Sequence, residues 1–204
     1  MLWDECRTNV VCATGGSPRD DTRLVGNERV NIKDTIAAIN QMQADGVVER
    51  YAIGGAVGAT FYLEPVATLD LDVFINFPPK AGSALVSPQP IFDYLKTRGG
   101  RIEGEYIVIA GWPVQFLRTA SPLIEEALAQ SVEKDVAGIP ARVFTAEHLA
   151  AIALQTGRAK DKVRILQFVE TAVLDHARFQ AILSRHGLQE AWCRFETQFR
   201  GDIP

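Results

Sequence analysis

The chain has 204 residues, of which 47% are hydrophobic and 23% are charged, so its composition is that of a globular protein with a sizeable core. The formal net charge of −4 argues against a generally basic, nucleic-acid-binding surface. Three cysteines without metal-ligand spacing argue against a disulfide framework or a zinc site. The absence of a signal-peptide pattern and of an apolar run of ~20 residues predicts a cytoplasmic protein.

The order of the predicted elements indicates an α+β fold. Residues 1–30 are rich in Gly, Ser, Pro and charged residues and have no hydrophobic periodicity, which predicts a flexible N-terminal arm. Asn31 can cap a first helix that ends near Gly46. The other elements are predicted as strands over 48–53, 69–77, 105–110, 114–117 and 141–144, and as helices over 56–63, 91–98, 122–131, 145–156, 159–174, 178–186 and 188–199.

This layout predicts a mixed β-sheet core over residues 31–144, followed by a C-terminal helical segment over 145–204 that packs on the core. A loop rich in Pro, Gly, Ser and Ala, over 78–90, interrupts the core. It is long enough to be either a mobile lid or a surface excursion.

The most informative stretch of the sequence carries two aspartates, Asp70 and Asp72, on a strand that is otherwise apolar. Residues two apart on a strand point to the same face, so both carboxylates should project side by side. Adjacent like charges on an apolar strand are costly unless a cation neutralises them, which favours a metal site. In the alternative interpretation, one aspartate starts the strand and the other faces solvent; the apolar opposite face argues against this.

A Gly-Gly turn, Gly54-Gly55, precedes the aspartates and leads into a predicted helix of small residues. Bare backbone N–H groups at the start of a helix suit a phosphate. The alternative interpretation is a strand-to-helix turn that only requires small residues. Phosphate on one side and a divalent metal on the other is the chemistry of phosphoryl or nucleotidyl transfer.

The order of these motifs also carries a family resemblance. A Gly-Gly turn, a helix and then Thr68-x-Asp70-x-Asp72 resembles the signature of the polymerase-β-type nucleotidyltransferase superfamily. Within it, the chain resembles the AbiEii-type nucleotidyltransferases, known as abortive-infection or toxin components. A basic segment over 157–165, with Arg158-x-Lys160-Asp161, is similar to the family's R-x-K-D segment between two helices. The resemblance covers roughly residues 31 to 171.

The resemblance implies a Mg²⁺-dependent enzyme, with Mn²⁺ as an alternative ion, that transfers a nucleoside monophosphate from an NTP to a hydroxyl. The acceptor would be an RNA end, a protein side chain or a small molecule, and an antitoxin protein would be a partner. The implied catalytic residues are Asp70, Asp72, Lys160 and Asp161, with Asp70 and Asp72 as metal ligands. The implied nucleotide-binding residues are Gly54, Gly55, Thr68, Gln115 and Arg158.

The sequence departs from the family pattern at the third carboxylate. The matching strand carries Gln115, whose amide can ligate Mg²⁺ but brings no charge and cannot act as a base; Glu103 or Glu105 is a candidate substitute. Two basic residues that relatives carry, before the aspartates and on helix 145–156, are also missing. A phosphate clamp would then come from one of four residues: Lys96, Arg158, Lys160 or Lys162. A second hypothesis is therefore a catalytically impaired module of the same fold that binds a nucleotide or a protein.

Two further features have ordinary structural explanations. Lys160 and Asp161 are adjacent opposite charges at a helix start, which are common as a cap or a solvated face. In the functional interpretation, which the resemblance favours, Lys160 approaches a phosphate and Asp161 orients it. His148 has no Cys or Asp partner at ligand spacing, which predicts a surface or hydrogen-bonded histidine rather than a metal ligand.

Overall fold

The computed structural model describes residues 31–65, 68, 70–77 and 89–199. The predicted arm over 1–30 and nearly all of the predicted loop over 78–90 lie outside the described residues. The helices are α1 Ile32–Ala44, α2 Gly55–Ala59, α3 Gln89–Lys96, α4 Pro122–Ala129, α5 Ala146–Thr156, α6 Ala159–Glu170, α7 His176–Arg185 and α8 Gln189–Phe199. The strands are β1 Arg50–Ile53, β2 Leu71–Asn76, β3 Arg101–Glu103, β4 Tyr106–Ile109, β5 Trp112–Arg118, β6 Val132–Val136 and β7 Ile139–Val143.

The strands form one mixed sheet in the order β3-β4-β5-β2-β1-β7-β6. The β2–β5 and β1–β7 pairs are parallel, and the other neighbouring pairs are antiparallel. The fold class predicted from the sequence, a mixed sheet with helices followed by a helical segment, is confirmed. None of the helices in the described ranges has the length and hydrophobicity that a bilayer crossing requires.

The two faces of the sheet pack against different helices, and this decides where the aspartates point. Leu71, Val73 and Ile75 of β2 are buried in a core that includes α1 and α3. Phe74 of the same strand belongs to a second core, built with α4 to α8. Because side chains alternate along a strand, Asp72 shares the face of Phe74 and projects toward the C-terminal helices.

Several boundaries differ from the sequence predictions. Strand β2 begins at Leu71, so Asp70 precedes the strand instead of lying in it. The predicted strands over 105–110 and 114–117 leave 111–113 for the turn, whereas the β4–β5 hairpin turns at Ala110 and Gly111, which have φ of 48° and 78°. Paired left-handed residues are what a two-residue hairpin turn requires.

Two strands were not predicted from the sequence. Strand β6 reads VEKDV and pairs with β7 at one edge of the sheet of described strands, so its charged residues can face solvent. Strand β3 has three exposed residues at the opposite edge. Edge strands of this kind lack the apolar pattern by which buried strands are recognised.

Candidate functional site

A cleft of about 600 Å³ lies between the sheet and the helices α5 and α6. Its floor is the face of β2 and β5 that carries Asp72 and Gln115, and its opposite wall is the start of α6. The residues that line it are Gly55, Ala56, Thr68, Asp70, Asp72, Phe74, Glu105, Tyr106, Gln115, Leu117, Arg118, Ala120, Ile124, Phe144, Leu149, Ile152, Ala153, Thr156, Arg158, Lys160, Asp161 and Arg164.

The two carboxylates stand together at one end of the cleft. Asp70 is half-buried and accepts a hydrogen bond of 3.1 Å from the Thr68 hydroxyl to Oδ1. Burial raises the pKa of Asp72 and the neighbouring charge of Asp70 raises it further; Lys160 and the arginines of α6 oppose the shift. Part of the charge of Asp72 is therefore uncompensated, which is the condition that a bound cation relieves.

The Gly-Gly turn is shaped by the carboxylate that lies on it. Gly55 has φ of +57°, and a Cβ built there would meet Asp72 Oδ2 at 1.7 Å. A Cβ on Gly54 would meet the Phe74 ring at 2.5 Å. The Gly54 N–H donates to the Asp72 carbonyl oxygen at 3.0 Å, so that group is occupied. For Gly54 the structure therefore favours the packing interpretation over direct phosphate binding.

Gln115 lies opposite Asp72 in the parallel register of β2 and β5. Its Nε2 donates to Glu105 Oε2 at 3.2 Å, so Glu105 reaches the cleft whereas Glu103 does not line it. Tyr106 lies beside them, and burial together with the charges of Asp70, Glu105 and Asp72 raises its pKa. The acidic side of the cleft thus extends from the aspartates toward the β3–β4 turn.

The aspartate pair suits magnesium bound with a phosphate ligand. Within the described ranges, no group of three or more His, Cys, Asp or Glu side chains is placed to hold a metal ion. Mg²⁺ is commonly held by one or two carboxylates together with substrate phosphates. The donors of Asp70 and Asp72, with the amide oxygen of Gln115 nearby, fit such an ion.

The opposite wall of the cleft is basic and rests on a buried carboxylate. Asp161 is 1% exposed and accepts from Arg158 Nε at 2.6 Å and from Arg158 Nη2 at 3.2 Å. Arg164 Nη1 lies 3.6 Å from Asp161 Oδ1. Lys160 also lines the cleft. The ion pairs of Asp161 are therefore with the two arginines that flank it on the helix.

The far end of the cleft is apolar. Two residues beyond Asp72 and Gln115, the same strand faces carry Phe74 and Leu117, and α5 contributes Leu149 and Ile152. A two-residue step along a strand spans about 6.6–6.8 Å. Along these two strands the cleft lining therefore changes from polar to apolar within one two-residue step.

The cleft brings together most of the residues singled out in the sequence. Gly55, Thr68, Asp70, Asp72, Gln115, Arg158, Lys160 and Asp161 line it, and Gly54 does not. Of the other clamp candidates, Lys162 lines a separate groove with Arg194, and Lys96 is not among the lining residues. The sequence placed Arg164 in a basic patch that could face an anionic ligand but did not single it out as a site residue, and it gave no signal for Tyr106. The three-residue spacing between Asp161 and Arg164 on one helix could have revealed Arg164.

No protein-family model matches the chain, and no curated protein matches it. An antigenic nucleotidyltransferase-like protein from Paracoccidioides brasiliensis superposes with a TM-score of 0.46 at 14% identity, over 78% of this chain and 91% of that one. The antibiotic-resistance factor ANT(2'')-Ia superposes with a TM-score of 0.45 at 13% identity, over 82% of this chain and 99% of that one. Both scores are below 0.5, so the chemistry of this chain has to be inferred from its own residues.

Proposed function

We propose that this chain is a Mg²⁺-dependent nucleotidyltransferase that transfers a nucleoside monophosphate from an NTP to a hydroxyl group. The main support for the proposal is that acidic residues and basic residues line opposite walls of one cleft. Asp70 and Asp72 lie on one side, and Arg158, Lys160 and Arg164 lie on the other. Carboxylates select a divalent cation and guanidinium groups select phosphate oxygens, so the two walls together suit a metal-bound polyphosphate.

The residues of the cleft divide the work of the transfer between them. Asp70 and Asp72 would hold Mg²⁺, which neutralises charge on the phosphates and polarises the α-phosphorus for attack. The basic residues of α6 would hold the phosphates that leave as pyrophosphate. The acceptor oxygen forms a bond to the α-phosphorus while the bond to the bridging oxygen of pyrophosphate breaks. The amide of Gln115 cannot accept the hydroxyl proton, which would pass to water or to Glu105, the carboxylate beside Gln115 in the cleft.

The first experiment is thermal unfolding with each of the four NTPs, with and without Mg²⁺, on the wild type and on Asp70→Ala/Asp72→Ala. A ligand at about 100 times its Kd adds roughly 2.7 kcal/mol to stability. For a chain of this size, the midpoint should rise by roughly 5–10 °C. We expect a Mg²⁺-dependent rise with at least one NTP in the wild type and none in the variant. Only the ligand-induced shift is compared, because removing two clustered carboxylates changes the stability of the free protein.

The activity itself is tested by transfer of label from an NTP carrying a radioactive α-phosphate. Transfer to an acceptor should be lost in Asp70→Ala/Asp72→Ala and retained in Lys162→Gln, which changes a residue outside the cleft. If no NTP shifts the unfolding midpoint and no label is transferred, no nucleotide binds at the carboxylate pair, and the proposal is wrong.

A second candidate function is a binding module of the same fold that holds a nucleotide or a protein without turnover. Gln115 favours it, because an amide lies beside Asp72 where a further carboxylate would strengthen a metal site. This function predicts NTP binding with no label transfer by the wild type. Gln115→Asp should then raise the Mg²⁺ affinity measured by calorimetry. Turnover by the wild type would rule this function out.

The sequence motifs support a more specific proposal for the biological role and the acceptor. An AbiEii-like role would make the chain the toxin of a two-component system with an antitoxin protein as partner. RNA ends, protein side chains and small molecules are the candidate acceptors. The net charge of −4 favours a protein or a small molecule over a large RNA. Incubating the labelled reaction with each acceptor class separately would identify the class.

A further inference from the structure

The basic wall of the cleft contains a group of ion pairs in which two positive side chains share one negative side chain. We call it the Asp161 fork, and it consists of Asp161, Arg158 and Arg164. One buried carboxylate lies between two guanidinium groups, at 2.6 Å from Arg158 and 3.6 Å from Arg164. Both arginines line the cleft, so the fork presents a surplus positive charge to it.

Arg164 has the least compensated charge in the fork. Its side chain is only 14% exposed, compared with 58% for Arg158, and it has the longer contact with Asp161. Burial lowers its pKa, and the charges of Asp161 and Asp72 oppose this shift. A guanidinium that is removed from water in this way is stabilised when an anion binds beside it.

We propose that Asp161 is a positioning residue that fixes Arg158 and Arg164 as a two-armed receptor for the terminal phosphates of a triphosphate, and that Arg164 makes the cleft selective for triphosphates over monophosphates. The identity of the triphosphate as a nucleotide rests on the proposed function. Asp161 itself does not contact the substrate, since its oxygens are engaged by the arginines.

The geometry favours a polyphosphate over a single phosphate. Guanidinium groups bind phosphate oxygens through two parallel hydrogen bonds, so Arg158 and Arg164 together can hold the oxygens of more than one phosphate. The fork also lies within electrostatic range of Asp72, so an anion held there is next to the carboxylates that would hold Mg²⁺. A monophosphate at the aspartates would leave the fork without its ligand.

The test is calorimetric binding of inorganic tripolyphosphate, and of one NTP with its matching NMP, in the presence of Mg²⁺. The variants are Arg164→Gln, Arg164→Lys and Asp161→Asn. The matched control is Lys162→Gln, which removes one positive charge from the same helix but lines a different groove. We expect Arg164→Gln to weaken tripolyphosphate and NTP binding about 10- to 100-fold, as for the loss of a charge-assisted hydrogen bond.

NMP binding should change by less than about 3-fold in Arg164→Gln, and Lys162→Gln should change none of the ligands by more than that. Arg164→Lys should recover only part of the loss, because a lysine keeps the charge but not the two parallel donors. Asp161→Asn should lower the affinity for tripolyphosphate although it makes the cleft more positive. A purely electrostatic role for Asp161 predicts the opposite sign.

The outcomes separate this inference from the proposed function. If tripolyphosphate binding depends on Arg164 but no NTP supports label transfer, the fork is a polyphosphate receptor and the transferase function is wrong. If transfer depends on Asp70 and Asp72 while Arg164→Gln behaves like Lys162→Gln, the fork inference is overturned. A single-stranded oligonucleotide is titrated in the same way. The inference is also overturned if Arg164→Gln weakens oligonucleotide binding but not tripolyphosphate binding, because the ligand is then a nucleic-acid backbone. Arg164→Gln leaves the buried Asp161 with Arg158, so the test still applies if Asp161→Asn fails to fold.

Discussion

Two charged regions of this molecule differ in how fully the charges of their carboxylates are compensated. In the first, which we call the Glu126 cluster, Glu126 of α4 contacts Arg185, His186 and His148. His186 Nε2 lies 2.7 Å from Glu126 Oε2, and Arg185 Nε donates to the same oxygen at 3.2 Å. His148 Nε2 lies 3.5 Å from the other oxygen. Hydrogen bonds from Arg185, chiefly, lower the pKa of Glu126 to about 2.

In the cleft, the pKa of the carboxylate is shifted in the opposite direction. Asp72 is half-buried beside Asp70, and the basic residues across the cleft do not fully compensate it, so its pKa is raised. A carboxylate whose pKa is lowered on folding contributes to stability at neutral pH, and one whose pKa is raised costs stability. The comparison separates a cluster that is complete without a ligand from a site that needs one.

The largest effect on stability is expected from Glu126→Gln. The substitution removes the carboxylate that pairs with Arg185 and contacts His186, and it leaves the buried His148 beside an amide. Breaking a buried ion pair from one side costs about 3–5 kcal/mol, and because Arg185 is half exposed, we expect a loss of about 2–3 kcal/mol. Glu125→Gln, an exposed change of equal charge on the same helix, should stay within about 0.5 kcal/mol. Urea unfolding at pH 7 measures both.

The pH dependence of the same pair of proteins gives a second check. The contribution of Glu126 is present above its ordinary pKa of 4.5 and is lost as the pH falls toward about 2. The stability difference between the wild type and Glu126→Gln should therefore shrink between pH 4.5 and pH 2. A difference that is absent at pH 7, or that grows in acid, would show that the cluster does not stabilise the fold.

The next effect concerns the contact between the Gly-Gly turn and the cleft. Gly55→Ala should lose about 1–2 kcal/mol more than Gly46→Ala, because both positions have positive φ but only Gly55 lies against Asp72. At Gly46 a Cβ would meet nothing within 4 Å. Thermal unfolding of both variants gives the difference. When Asp72 is also replaced by Ala, the extra loss of stability caused by Gly55→Ala should become smaller, because the carboxylate that the new Cβ would meet is gone. If that extra loss is the same with and without Asp72, the effects of Gly55 and Asp72 on stability are independent.

The sequence predicted the faces of the sheet well because they depend on local alternation. The apolar residues Leu71 and Val73 place Asp72 on the face toward α6, as expected from period-two alternation. The cleft itself could also be anticipated, since the helical segment returns its basic residues to that face. The last described helices were predicted to within a few residues, because their apolar periodicity is strong.

What the sequence could not predict depends on contacts between distant residues. The buried state of His148, whose Nδ1 lies 2.9 Å from the Thr145 hydroxyl, depends on α4 bringing Glu126 to it. The bond from Gln115 to Glu105 depends on the register of β4 with β5. In each case the partner is fixed by packing that a linear pattern does not contain.

The smallest effect has the opposite sign and tests the comparison most directly. Asp72→Asn should stabilise the free protein at pH 7 by up to about 1 kcal/mol, because it removes a carboxylate whose charged form is disfavoured by burial and by Asp70. Glu49→Gln, an exposed change of equal charge, should stay near zero. Urea unfolding of the three proteins without nucleotide gives these values.

The pH profile of that difference fixes its cause. A raised pKa means that protonation favours the folded state, so the wild type recovers stability as the pH falls through the pKa of Asp72, above the ordinary 3.8. The advantage of Asp72→Asn should therefore vanish in acid, whereas the deficit of Glu126→Gln persists to lower pH. If Asp72→Asn is instead less stable than the wild type at pH 7, the basic wall already neutralises Asp72. The cleft would then be a closed ion-pair cluster like that of Glu126, with no charge left for a metal ion to compensate.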